Sequence, residues 1–167
     1  MPGSRCIQDL PIESDKYAMT TGSKSFIVAE AGVRGQDRAQ VSLEMNSDII
    51  LQAKVSAVGC LAFLQAVEQL RNALRGPLAL VRWSPSNNRH VDLLMNEIVL
   101  RLQQKWNAPH CETELCHCRR IPRAKVDEAI ICGAKSAAEV ALLTSAGTGC
   151  GSCRPRTEDI IAYRRTA

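Results

Sequence analysis

Four cysteines in the last third of the chain are the residues whose types and spacing carry the most chemistry. Cys116 and Cys118 form one pair, Cys150 and Cys153 form a second, and 31 residues separate the two pairs. Thiolates are ligands of zinc and of iron–sulfur clusters, and both accept four of them. The spacing therefore predicts that folding brings the two pairs together in one four-sulfur metal site.

The segment around the second pair has the composition expected beside a cluster. Gly147, Gly149 and Gly151 surround Cys150, and the lack of side chains lets backbone N–H groups approach bridging sulfides. Cys153 precedes the start of a predicted helix, where backbone N–H groups and the helix dipole favour the thiolate. On the residues alone, an iron–sulfur cluster, a structural zinc ion and unligated or disulfide-bonded cysteines all remain open.

Composition narrows the class of protein. The chain has 167 residues, eight cysteines and a net charge of +4. It lacks an apolar stretch long enough to span a membrane and a signal-peptide pattern at its start. We therefore expect a cytoplasmic protein, in which cysteines serve metal or redox chemistry more often than disulfides. No nucleophile–base arrangement or phosphate loop is recognisable, so we expect no enzymatic activity.

Basic residues are concentrated near the cysteine pairs. They are Arg119, Arg120, Arg123, Lys125, Arg154, Arg156, Arg164 and Arg165. One interpretation is a solvated surface, and the other is stabilisation of an anionic cluster, to which reduction adds a negative charge. No nucleic-acid recognition motif accompanies these residues, so we expect no nucleic-acid partner.

The first part of the chain is predicted to contain a sheet and two helices. Residues 1–24 predict a flexible arm, and residues 25–108 a first domain. Alternating apolar residues over 40–45 and a return strand over 49–58 predict a hairpin. Apolar residues at helical spacing then predict helices over about 60–74 and 90–106, with Leu64 and Trp106 among their buried residues.

Residues 109–167 predict a second domain built from short elements. Pro122 suits the first turn of a helix that ends at Gly133. The segment from Ser136 to Glu139 is a capping box for a second helix, which would bury Leu143. Pro155 begins the last helix, directly after the glycine-rich loop.

The cysteine segments of this second domain resemble the bacterioferritin-associated ferredoxin domain, which also occurs in the middle of NifU. The resemblance covers residues 111–167 and is carried by the Cys-His-Cys segment at 116–118 and by the segment 148–155. It implies a compact, all-helical fold. It also implies a [2Fe-2S] cluster ligated by Cys116, Cys118, Cys150 and Cys153. Cys111 is an alternative ligand, and Cys132 is expected to pack as a small apolar group.

Residues 33–106 resemble the NifU/IscU scaffold domain, in which a small antiparallel sheet packs on helices. The whole chain is thus expected to be α+β. The three cluster cysteines of that family correspond here to Gly35, Cys60 and Val91, whereas its aspartate and histidine are kept as Asp37 and His90.

One remaining thiolate cannot hold a cluster, but Asp37, Cys60 and His90 could form an open three-ligand metal site if they converge. The alternative is a buried thiol at a helix start, a surface acid and a helix cap that do not act together.

Both resemblances together imply a NifU-like protein that supports iron–sulfur cluster assembly. The partners implied are a cysteine desulfurase, a flavoprotein reductase or an apo iron–sulfur acceptor, and the first domain could form a homodimer. A one-electron carrier of the bacterioferritin-associated ferredoxin type is the first alternative, and a structural zinc protein is the second.

Overall fold

The computed structural model describes residues 24–86 and 88–166. The strands are β1 (Lys24–Gly32), β2 (Arg38–Asn46), β3 (Ile49–Val58), β4 (Gly76–Pro77), β5 (Glu114–Cys116) and β6 (Ile121–Pro122). The helices are α1 (Leu61–Ala73), α2 (Arg89–Leu102), α3 (Arg123–Ile131), α4 (Ala137–Thr144) and α5 (Arg154–Thr166). The arm predicted over 1–24 lies outside the described residues, apart from Lys24, which begins β1.

The first region is an antiparallel sheet of strand order β1-β2-β3-β4, with α1 and α2 packed on one face. The predicted hairpin is confirmed as β2 and β3, which pair from Arg38↔Val58 to Asn46↔Ile49. Strand β1 pairs with β2 along its whole length but was not predicted. Its exposed face carries Phe26 and Val28, 72% and 60% exposed, so the sequence shows no clean alternation of apolar and polar residues.

The two predicted helices exist, but their details differ from the expectation. In α1 the buried stripe includes Ala66, whereas Leu64 is 39% exposed. Helix α2 ends at Leu102 and not at Trp106, because Gln104 takes a positive φ of 57° and breaks the helical path. The Trp106 ring instead packs edge-on against Tyr163 of α5, with the ring centroids 5.1 Å apart.

The second region contains three helices, but the all-helical prediction is wrong. Strands β5 and β6 pair around a short 3₁₀ turn, with Arg120 in the left-handed conformation at φ 51°. The capping box is confirmed in part: the Glu139 N–H donates to Ser136 Oγ at 3.2 Å, while the Glu139 carboxylate accepts from the Lys135 N–H. Leu143 is 61% exposed and not buried, because α4 is only eight residues long and turns this face to solvent.

The two regions are joined by a buried arginine. Arg164 of α5 is 4% exposed, and its guanidinium bonds Glu97 of α2 at 2.6 Å and the carboxylate of Asp127 in α3. It also stacks over the Trp106 ring at 4.7 Å. Burial alone would lower its pKa, but the two carboxylates raise it further than burial lowers it. Arg164 therefore bridges the regions and does not belong to the exposed basic set near the cysteines.

Candidate metal centres

The structure brings the four predicted cysteines of the second region together. Cys116 ends β5, Cys118 lies in the 3₁₀ turn, Cys150 lies in the glycine-rich loop and Cys153 directly precedes α5. The Sγ atoms of Cys116 and Cys118 are 3.7 Å apart, and those of Cys118 and Cys150 are 3.6 Å apart. The Cys116 thiol also adjoins Cys153 and acts to raise the pKa of that thiol. The four sulfurs thus form a continuous row in the order 153, 116, 118, 150.

Backbone N–H groups surround this sulfur row. Those of Gly147 and Arg119 donate to the Cys116 sulfur, and that of Cys150 donates to the Cys118 sulfur. A Cβ on Gly149 would lie 3.0 Å from Cys118 Sγ, closer than a side chain can normally sit. The loop therefore needs glycine to approach the sulfurs, and its donors suit a negatively charged, sulfur-rich group.

One end of the sulfur row is buried and the other end is exposed to solvent. Cys116 and Cys153 are 1% and 3% exposed, whereas Cys118 and Cys150 face solvent. The thiol pKa values follow these surroundings. Hydrogen bonds from the Ser152 hydroxyl and N–H lower the pKa of Cys150 to about 7, whereas burial raises the pKa of Cys153 to about 11. Burial also acts to raise the pKa of Cys116, but its hydrogen bonds bring it below 9.0.

Two of the predicted basic residues lie against the cysteine loop. Arg154 Nε donates to the Gly147 carbonyl at 3.1 Å, and Arg119 Nε lies 3.7 Å from the position that a Gly149 Cβ would occupy. Others have acidic partners, such as Arg156, which pairs with Glu112 at 3.3 Å. The electrostatic interpretation therefore concerns Arg119 and Arg154 first.

Asp37, Cys60 and His90 also converge, in the first region. Among residues 24–86 and 88–166 they are the one group of three His, Cys, Asp or Glu residues whose ligand atoms all lie within 4.8 Å. His90 Nε2 is 2.9 Å from Asp37 Oδ2. Cys60 Sγ lies 3.6 Å from Asp37 Oδ2 and 3.7 Å from His90 Nε2. Oxygen, sulfur and nitrogen donors thus meet at one point, as an open transition-metal site requires.

Three different elements hold this group in place. Asp37 follows a turn in which Gly35 has a φ of 73°, Cys60 is the N-cap of α1, and His90 lies in the first turn of α2. Asp37 is 6% exposed and accepts the Cys60 N–H at 2.6 Å. Gly59 must lack a side chain, because its Cβ would overlap Asp37 Oδ1 and lie 2.9 Å from the Phe63 ring.

The burial expected under the alternative is reversed, since the acid is buried and the thiol is exposed. Metal binding by the three residues stays a prediction. An open cavity of about 520 Å³ adjoins the group and is lined by Gly35, Gln36, Asp37, Val58, Gly59, Cys60 and His90. Val91, at the position of the family's third cysteine, is 1% exposed in the core.

The two remaining described cysteines have different outcomes. Cys132 was expected to pack as a small apolar group, and this is wrong, because it is exposed directly after α3 and its Sγ lies 4.0 Å from Gln36 Oε1. The spacing of the cysteines gave no sign of this position, which depends on how the two regions pack. Cys111, which precedes β5, is disulfide-bonded, so the prediction that it is an alternative ligand is wrong.

Comparison with known proteins identifies part of the chain. Residues 115–163, which include all four clustered cysteines, match the family described as "BFD-like [2Fe-2S] binding domain". No curated protein matches the chain. None of the helices within the described residues is long and apolar enough to cross a membrane. The chain therefore carries a BFD-like [2Fe-2S] binding domain, its cofactor is a [2Fe-2S] cluster, and it is an iron–sulfur protein.

Proposed function

We propose that this iron–sulfur protein is NifU-like and supports iron–sulfur cluster assembly in the cytoplasm. The observation that carries the proposal is the presence of two separate metal-ligand groups on one chain. A simple electron carrier requires the four-cysteine group alone. The convergence of Asp37, Cys60 and His90 would give the first region a metal chemistry of its own, and this supports the proposal.

The ligands proposed for the permanent cluster are Cys116, Cys118, Cys150 and Cys153. The spacing of their sulfurs supports two metal atoms over one. A single tetrahedral zinc ion with bonds of about 2.3 Å needs all its sulfurs about 3.8 Å apart. Within the described part of the chain, no three of these four sulfurs all lie within 4.8 Å of one another. Binding a single ion would therefore require the sulfurs to move closer together.

Each part of this site has a distinct task. When bound, the cluster supplies a change of one electron. The N–H groups of Gly147, Arg119 and Cys150 stabilise negative charge on the sulfurs. Cys116 and Cys153 exclude water from one end, while the exposed Cys118 and Cys150 leave the other end open to a protein partner.

The first region is proposed to act as a scaffold-type domain with a reduced ligand set. Asp37, Cys60 and His90 would hold one metal ion in place of a cluster, since Gly35 and Val91 offer no thiolate. The partners proposed are a cysteine desulfurase and an apo iron–sulfur acceptor. A homodimer through the first region also remains a proposal.

The test supplies the purified holoprotein with cysteine desulfurase, cysteine, iron and an apo-ferredoxin acceptor. We expect cluster transfer to the acceptor, and we expect the variant Cys60→Ser to lose most of it. Leu61→Ser is the matched control, because Leu61 is the exposed neighbour, 73% accessible. Transfer that is equally fast in Cys60→Ser and the wild type would contradict an assembly role for the first region.

The one-electron carrier remains the second candidate function, and the solvent-exposed end of the sulfur row favours it. Cys118 and Cys150 are exposed, and Arg119 and Arg154 lie beside the same loop. Fast reduction by a flavoprotein reductase without any cluster transfer would support this function. A red-brown preparation with visible absorption separates both candidates from the structural zinc protein, which is colourless.

A further inference from the structure

We propose that Cys132 is a fourth ligand for the metal ion held by Asp37, Cys60 and His90, so that one ion joins the two regions of the chain. The inference rests on the proposed metal binding by these three residues. It adds a ligand from the BFD-like domain, outside the scaffold-like region.

The packing of α3 places Cys132 at the edge of the first region. Ile131, the last residue of α3, is 2% exposed and belongs to the apolar core of the sheet and helices α1 and α2. One turn earlier, the Glu128 carboxylate accepts the Arg34 N–H at 3.3 Å and faces the Arg34 guanidinium at 3.9 Å. These contacts fix the backbone of the last turn of α3, directly before Cys132.

Cys132 and Cys60 approach the same two side chains through two cavities. The 520 Å³ cavity contains Cys60, and a second cavity of about 310 Å³ is lined by Val33, Gln36, Asp37, His90, Ile131 and Cys132. Asp37 and His90 line both cavities. Although the Cys132 side chain is exposed, partial desolvation of its sulfur raises its pKa, and the negative charges of Glu128 and Asp37 raise it further.

Coordination chemistry supplies the reason for a fourth ligand. Three protein ligands leave one position of a tetrahedral ion open, and oxygen, nitrogen and two sulfurs suit zinc or iron(II). Binding requires the Cys132 thiol to lose its proton to solvent and its side chain to rotate toward the ion. A divalent cation between Cys132 and Asp37 would then replace their repulsion by attraction.

The experiment uses the full-length, iron-loaded protein with zinc as the probe. Zinc-edge X-ray absorption counts the sulfurs around zinc without interference from iron, and titration gives the zinc affinity. We expect one zinc per chain with two sulfur neighbours in the wild type. In Cys132→Ser we expect one sulfur neighbour and an affinity lower by roughly tenfold or more.

Lys135→Ser is the matched control, because Lys135 is an exposed residue three positions further along the chain. It should leave both values unchanged. Cys60→Ser distinguishes the failure of the Cys132 ligand from the failure of the three-residue site itself. If it abolishes zinc binding while Cys132→Ser retains the wild-type affinity and sulfur count, Cys132 is not a ligand and the three-residue site stands. A wild type that binds no zinc overturns both the three-residue site and the Cys132 assignment. Four sulfurs around zinc, together with loss of iron, would place zinc in the cluster site and would also overturn the Cys132 assignment.

Discussion

The two ligand groups of this protein are built in opposite ways. The four-sulfur row comes from two short segments, and backbone N–H groups of the same segments surround it. The Asp37, Cys60 and His90 group takes one side chain from each of three places, and the packing of the sheet against α1 and α2 brings them together. Each segment of the first group therefore supplies two closely spaced ligands, whereas each segment of the second group supplies only one.

The strongest test of this difference removes one ligand from each group. We expect Cys118→Ala, at an exposed position, to lose nearly all bound iron and visible absorption, because three thiolates leave one iron with only one of its two protein ligands. Cys60→Ala should keep both. Iron analysis and absorption spectra measure the outcome, and circular dichroism checks that each variant folds. A comparable loss of iron in Cys60→Ala would mean that the groups are not independent.

The second test breaks the connection between the regions. Arg164→Ala would leave the carboxylates of Glu97 and Asp127 without their shared partner, and removing one member of a buried ion pair costs about 3–5 kcal/mol. We expect the free energy of unfolding in urea to fall by that amount. Arg165→Ala is the control, since the neighbouring side chain is exposed, and it should change stability little. Equal stability of the two variants would show that the bridge contributes nothing.

The third test acts on the packing behind Asp37. In Gly59→Ala the new methyl group would meet Asp37 and the Phe63 ring, and overpacking of this kind costs about 1–3 kcal/mol. We expect lower stability in urea and loss of zinc uptake, with unchanged visible absorption from the cluster. Ser56→Ala, at an exposed position on β3, is the control. Unaltered zinc uptake in Gly59→Ala would show that the Asp37 group tolerates displacement.

The smallest effect concerns the charge beside the four-sulfur row. A unit positive charge about 6 Å away favours the reduced cluster by about 30 mV in a water-like dielectric. Arg119→Ala should therefore lower the reduction potential by about this amount, whereas Lys125→Ala, an exposed change on α3, should leave it unchanged. Redox titration is the measurement, and a shift within about 10 mV for Arg119→Ala would remove the electrostatic interpretation.

The same contrast explains what could be predicted from the sequence. Cysteine spacing and flanking glycines predict the proximity of Cys118 and Cys150, because two cysteine pairs with metal-ligand spacing indicate one shared site. The hairpin β2–β3 is predictable from its alternating residues. Strand β1, the early end of α2 and the burial of Arg164 depend on partners far along the chain. A single sequence does not show those partners, and the position of Cys132 escaped prediction for the same reason.

The unequal solvent exposure of the four thiols also determines the order in which oxidants damage them. Peroxide reaches accessible sulfur first, so damage should begin at Cys118 and Cys150, which face solvent. Cys116 and Cys153 are sheltered by the core and should stay chemically intact. Repair would then need only the outer thiols to be reduced before iron and sulfide are supplied again.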